Sequence, residues 1–177
     1  MIQDQLYMEK AMQEAELAYD NKTYPVGAII VNPHGEIIGR GHNGVYSEGD
    51  FTSHAEIEAI RDAGSQLMRE QNFGSCTLYT TWEPCLMCSG AILLAKIARV
   101  IWAKDDEVHG ALRHLHENVY LLKTSYKNWL DTLEFHSFNE TNFAKRVDNW
   151  MDSWNNMKES VVEGRRQEGN RMQESLV

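Results

Sequence analysis

Thr81-Trp82-Glu83-Pro84-Cys85-Leu86-Met87-Cys88 follows a run of strand-forming residues, Thr77 to Thr81, and opens a stretch of helical spacing that extends to Ala95. Upstream, Ser53-His54-Ala55-Glu56-Ile57 opens a second helical stretch, with Ile57, Ile60 and Arg61 leading towards Gly64. Two predicted helix starts therefore carry a histidine, a glutamate and a C-x-x-C pair. Cys85 comes 29 residues after Glu56.

Outward from these starts the pattern alternates. Asp4 to about Asp20 spaces Met8, Ala11, Met12, Ala15, Ala18 and Tyr19 as one face of an amphipathic helix, and Pro25 blocks its continuation. Val26 to Val31 suits a strand buried on both faces. Asn32-Pro33-His34-Gly35 is turn chemistry, so Glu36 to His42 reads as the returning strand of a hairpin. A loop rich in Gly, Ser and Asp spans Asn43 to Ser53, and Arg99 to Ala103 makes a fourth strand. The order α-β-β-α-β-α-β predicts a layered α/β domain. Beyond Asp105 the reading gives a short helix over His109–Glu117, a fifth strand over Thr132–Phe138 and a closing helix from Asn142 to about Met157. The domain is thus expected over residues 1–157. Residues 158–177, with four acidic and four basic side chains, are expected as a polar C-terminal tail, a frayed helix or disordered.

Composition bounds the class. The chain has 177 residues, 42% hydrophobic and 24% charged, which is ordinary for one globular domain. A chain of this size buries roughly 70% of its unfolded surface, enough for a core without staples. Its longest apolar runs, such as Gly90 to Ala95, fall well short of the roughly 20 residues of a membrane helix. Met1 to Gln5 has no basic or apolar leader pattern, so a cytoplasmic location is expected. Three cysteines, an odd number, argue against a disulfide framework. Seventeen basic against 26 acidic side chains give a net charge of −9, which disfavours a polyanionic partner.

The two helix starts have a common physical reading as a zinc site. Zinc takes imidazole and thiolate in tetrahedral geometry. A spacing of three puts Cys85 and Cys88 on one helix face, and helix N-termini favour the thiolate forms. His54, Cys85 and Cys88 make three protein ligands that balance the ion's charge, leaving a fourth position for water. Glu56, two residues from His54, is badly placed to bind the same ion and suits a proton shuttle. The competing reading is a closed structural site, with Cys76 or a histidine such as His42 as fourth ligand. Cys76 alone reads as a buried thiol at a strand edge, and His109, His114 and His116 as a solvated helix or loop.

The chain resembles the cytidine deaminase-like superfamily, in the branch of bacterial tRNA adenosine deaminases, guanine deaminases and fungal cytosine deaminase. The resemblance runs from about Tyr24 to Gly110 through Pro25-Val26-Gly27-Ala28, Gly41-His42-Asn43, Ser53 to Ile57 and Thr81 to Ile92. The order H-x-E then P-C-x-x-C is the zinc deaminase signature. The resemblance implies a three-layer α/β/α fold around a five-stranded mixed sheet, one Zn2+ per subunit with a bound water or hydroxide, and a homodimer or larger assembly. It also implies His54, Cys85 and Cys88 as ligands and Glu56 as proton shuttle. On the substrate side it implies Asn43, the backbone of Ala55 and Glu83, and Asp106 as contacts.

Departures bear on the substrate. Phe51 stands where relatives commonly have proline, and Trp82 where they have smaller residues; Trp82 either walls the pocket or packs behind it. Asp106 to Ala111 replaces a K-T-G-A-type segment of the tRNA enzymes, and the closing helix to Met157 has only Lys145 and Arg146 as bases. Since RNA binding needs cationic contacts to phosphate, the expected substrate is a small aminated heterocycle: a nucleobase, nucleoside or related ring that loses ammonia. The alternative is wobble adenosine of tRNA, and the third reading is a non-catalytic zinc scaffold.

Overall fold

The computed structural model describes residues 2–69, 71–118 and 124–174, side chains excepted at 124 and 168–174. A five-stranded sheet, ordered β2-β1-β3-β4-β5, runs through the middle. Its strands are β1 (Gly27–Val31), β2 (Ile37–His42), β3 (Thr77–Trp82), β4 (Arg99–Lys104) and β5 (Glu134–Ser137). β1 pairs antiparallel with β2 and β3, whereas β3–β4 and β4–β5 are parallel. The sheet is therefore mixed, and helices cover both faces.

Alternation along β1 explains the two cores. Ala28 and Ile30 join Ala59, Leu78, Ile92 and Val100 on the face covered by α3 (Ala55–Leu67) and α4 (Leu86–Leu94). Ile29 and Val31 join Met8, Met12, Tyr79, Ile101 and Val147 under α1 (Ile2–Asp20) and α7 (Asn142–Glu174). All five residues of β1 are buried, as the β-branched run predicts. Asp4 fastens α1 to the sheet, accepting hydrogen bonds from Arg99 at 2.7 Å and from Tyr79 at 2.8 Å.

The structure adds elements that the hydrophobic pattern does not show. α2 (Val45–Glu48) is a single turn inside the loop after β2, and its Val45 N–H donates to Asn43 Oδ1 at 3.1 Å. α6 (Thr124–Leu130) is a short helix between β4 and β5, whereas α5 (Leu112–Glu117) is the short helix expected over His109–Glu117, starting three residues later. α7 does not stop near Met157 but continues to Glu174. Its second half lacks a continuous apolar stripe, yet Glu, Arg, Gln and Met are good helix formers and carry the helix on. No helix among the described residues is long and apolar enough to cross a membrane.

Two glycines of β2 decide how close α3 lies. A Cβ on Gly41 would stand 2.2 Å from the Ala55 carbonyl oxygen and 2.3 Å from the Ala59 nitrogen; one on Gly39 would stand 2.3 Å from the Ala59 carbonyl oxygen. Only hydrogen fits there, so the first turn of α3 rests on the backbone of β2. Gly41→Ala should lever that turn off the sheet and destabilise the fold by more than about 2 kcal/mol. Thermal unfolding and zinc content should both fall; an unchanged zinc content in a folded variant would show that the contact does not set the site.

Candidate metal centre and pocket

His54 is the residue just before α3, in extended conformation, and Cys85 holds the same position before α4. Extended backbone at a helix cap throws the side chain forward of the first turn, so both project beyond their helices. Cys88 sits one turn into α4, fully buried, on the same side as Cys85. The result is a triangle: His54 Nδ1 lies 3.7 Å from Cys85 Sγ and 3.6 Å from Cys88 Sγ. The ligand atoms of all three lie within 4.8 Å of one another, and among the described residues they form the one such cluster. A tetrahedral ion with Zn–N near 2.05 Å and Zn–S near 2.3 Å separates its nitrogen and sulfur ligands by about 3.6 Å. The donors stand at that separation.

Charge makes the same case. The Cys85 thiol is brought down to about 4, first by the hydrogen bond from Cys88 and then, against burial, by the one from His54. Cys88 is pushed up, because its S–H donates a hydrogen bond to Cys85 and it is buried. His54 is raised chiefly by its hydrogen bond to Cys85. Burial pushes the neighbouring Glu56 carboxyl up to about 7. The protein alone thus crowds more acidic groups together than can ionise at once. A divalent cation at the centre of the triangle reverses this, letting both thiols ionise. The donor set fits zinc.

The alternative fourth ligands lie elsewhere. Cys76 is buried before β3, at the end of that strand away from Cys85, and donates to the Asn72 carbonyl at 3.4 Å; burial pushes its thiol up to about 11. His42 faces Glu14, with Nδ1 3.6 Å from Oε2. His114 pairs with Glu117, and His116 stands edge-on to Phe135.

A pocket of about 510 Å³ opens over the triangle. His54, Glu56, Asn43, Trp82, Glu83, Cys85 and Asp106, all singled out from sequence, line it. Glu56 is 3% exposed. Ala55 begins α3 between His54 and Glu56, and its side chain is buried rather than lining the pocket. Asn43 Oδ1 is occupied by the Thr23 hydroxyl at 2.8 Å and the Val45 N–H at 3.1 Å, which fixes the amide. Trp82 belongs to both of its readings, lining the pocket and packing against the core under α1 and α7. Asp106 accepts the N–H groups of Val108 and His109 at 2.9 Å.

Other walls escaped the sequence reading. Tyr24, Val26, Val45, Tyr46, Met87 and His109 also line the pocket, as does Phe51, noted before only as a departure. Tyr24 and Tyr46 reach it by packing on Trp154 of α7, with ring centroids 5.2–5.5 Å apart. No local signal marks them, since the contact is with Trp154, 108 or more residues away. His109 was visible in sequence, but the loop path that brings it to the mouth was not.

Replacing either sulfur ligand tests the centre. Zinc content of purified Cys85→Ser or Cys88→Ser should drop from about one ion per chain to near zero, while Cys76→Ser keeps its metal. Loss of zinc in Cys76→Ser to the same degree would instead favour a closed site. Comparison with known proteins agrees with the geometry. Residues 1–104 match the family described as the cytidine and deoxycytidylate deaminase zinc-binding region. The chain is 43% identical over 106 residues to the tRNA-specific adenosine deaminase of Aquifex aeolicus, covering 60% of this chain and 69% of that protein. It is 43% identical over 108 residues to the chloroplastic tRNA(adenine(34)) deaminase of Arabidopsis thaliana, a match to 61% of this chain but only 8% of that much longer protein. A solved structure from work on tRNA:A34 deaminases superimposes with a TM-score of 0.64 at 29% identity, covering 81% of this chain and 99% of that one. With the fold, the three zinc donors and the family match in agreement, the chain belongs to the zinc-dependent cytidine and deoxycytidylate deaminase family, whose members are hydrolases of C–N bonds.

Proposed function

We propose that this protein hydrolyses adenosine to inosine and ammonia within RNA, at the wobble position of a tRNA anticodon. The observation that carries the reading is the 43% identity over 106 residues to a tRNA-specific adenosine deaminase. It favours a base carried on a polynucleotide over the free heterocycle to which the net charge points. Whole-chain charge is a poor guide here because the cations are placed unevenly. Lys158 lies over the ring of pocket-lining Tyr24, and its Nζ donates to that hydroxyl at 3.3 Å. Arg165 donates to the Tyr46 carbonyl, and with Arg166 it lines a groove that shares Tyr46 and Phe51 with the pocket. Three bases on α7 thus stand beside the mouth, where a phosphate would pass.

A base held in a polynucleotide must leave its stack to react. The mouth is rimmed by Phe51, 87% exposed, and by the His109 side chain, 76% exposed, so a swung-out base can enter while its backbone stays outside. Zinc bound by His54, Cys85 and Cys88 would supply the Lewis acidity that makes water a nucleophile near neutral pH. Glu56, buried beside these donors, would take a proton from the attacking water and return protons to the ring nitrogen and the departing amine. Asn43, its Oδ1 already used, keeps Nδ2 to donate to the purine. The Ala55 N–H, at the first helical position, has no intrahelical acceptor and faces the same task. The Glu83 carbonyl receives the amino group, Trp82 and Tyr24 flank the ring, and Asp106 closes the substrate side.

The outer face of α4 carries a second part of the proposal, a homodimer. Leu86 and Leu94 are 66% and 67% exposed, and a Cβ on Gly90 between them would meet open space. The three recur every fourth residue, an apolar stripe suited to a second copy of the chain. Sedimentation should give twice the chain mass for the parent and the single-chain mass for Leu94→Asp; a monomeric parent would remove the pairing.

An anticodon stem-loop, incubated with zinc-loaded protein and digested to nucleosides, should yield inosine. Glu56→Ala should keep its zinc and lose about 100- to 10,000-fold in kcat. Ammonia release from free guanine, adenine or cytosine with none from the stem-loop would return the substrate to a small ring.

A further inference from the structure

The family match ends at Lys104, yet the pocket does not: Asp106 and His109 come from the loop that follows. What holds that loop is a buried ion pair. The Glu83 side chain is wholly inaccessible, and a carboxylate so placed must be paired and hydrogen-bonded to stay ionised. Arg113, the second residue of α5, meets it with a fork. Nη2 donates to Oε2 at 2.7 Å, and Nε to Oε1 and Oε2 at 3.0 and 3.1 Å. The Asp106 N–H adds a third donor group, at 3.2 Å from Oε2. The same guanidinium reaches Asp105 at 3.6 Å and Glu107 at 3.9 Å, so it touches the loop from outside while gripping the carboxylate within.

The loop wraps this pair tightly. A Cβ on Gly110 would lie 2.5 Å from Glu83 Oε2 and 2.4 Å from the Asp106 carbonyl oxygen. Gly110 forms a β-bridge with Cys85, and the Ala111 N–H donates to the Pro84 carbonyl at 3.0 Å. Glu83, Pro84 and Cys85 are consecutive, so one charged contact joins the loop to the segment bearing a zinc ligand. Arg113 does not line the pocket; it acts through Glu83 and the loop.

We infer that Arg113 is a positioning residue: by pairing with buried Glu83 it holds the loop from Asp105 to Gly110 against Pro84–Cys85 and so shapes the substrate side of the pocket. Lysine cannot replace it, being a point charge without the planar fork. The kinetic consequence rests on the proposed adenosine reaction; the structural one does not.

Two variants separate positioning from mere stability. Arg113→Lys keeps the charge and loses the fork; Glu83→Gln with Arg113→Gln removes both buried charges and leaves no orphan carboxylate. In both, zinc content should match the parent, while amide exchange of Asp106, read by mass spectrometry on the 104–112 segment, speeds up about tenfold or more. KM for the anticodon stem-loop should rise roughly tenfold with kcat changed far less, as expected when a wall of the pocket loosens but the reacting groups remain. Parent-like exchange in both variants would overturn the inference, as would parent-like KM in both. Losses of activity that track loss of zinc would overturn it too, placing the pair's effect on the metal. If the parent converts no stem-loop, the substrate reading fails, and the exchange measurement alone decides the role of Arg113.

Discussion

His54 and Cys85 each stand one residue ahead of a helix, and both helices point their N-termini at the same place beside the end of β3. That convergence is a packing problem before it is a chemical one. α4 starts where it does because Pro84 and Cys85 follow directly on β3. α3 reaches the same point only because β2 presents Gly39 and Gly41 beneath its first turns. With side chains at those positions α3 would ride higher, and the imidazole would miss two sulfurs that now lie 3.6 and 3.7 Å away. The partial positive charge of both helix ends then falls on the donors, favouring thiolates.

Chemistry follows from this crowding. Two thiols, an imidazole and a buried carboxyl share a space in which the protein alone keeps Cys88 and Glu56 away from their charged forms. A cation resolves the conflict and leaves Glu56 as the acid of this group that is not needed as a ligand. Glu83 shows a different solution two residues from Cys85: its side chain is buried as well, but an arginine pairs with it.

The parts legible in the sequence were those written in local pattern. The strands of the sheet and the caps of α3 and α4 showed in periodicity and turn chemistry, and the donors showed in H-x-E and C-x-x-C. α2 and α6, one and two turns long, are too short to repeat an apolar pattern. α7 ran past its expected end because propensity continued where the apolar stripe stopped. Tyr24, Tyr46 and His109 reach the pocket through contacts across the fold, as Arg113 reaches Glu83 across 30 residues, and no spacing rule reports that. Net charge is a weak guide to the substrate for a related reason, since it sums over the chain while a ligand meets only what surrounds the pocket mouth.

The chemistry of the pocket depends on an open metal centre with three protein ligands. Zinc X-ray absorption of the loaded protein measures it most directly. The expected first shell is two sulfurs at about 2.3 Å and two nitrogen or oxygen atoms at about 2.0–2.1 Å, one of them exchangeable for an added small anion. Three sulfurs, or a second imidazole in place of the exchangeable atom, would mean a closed structural site with no position for a reacting water.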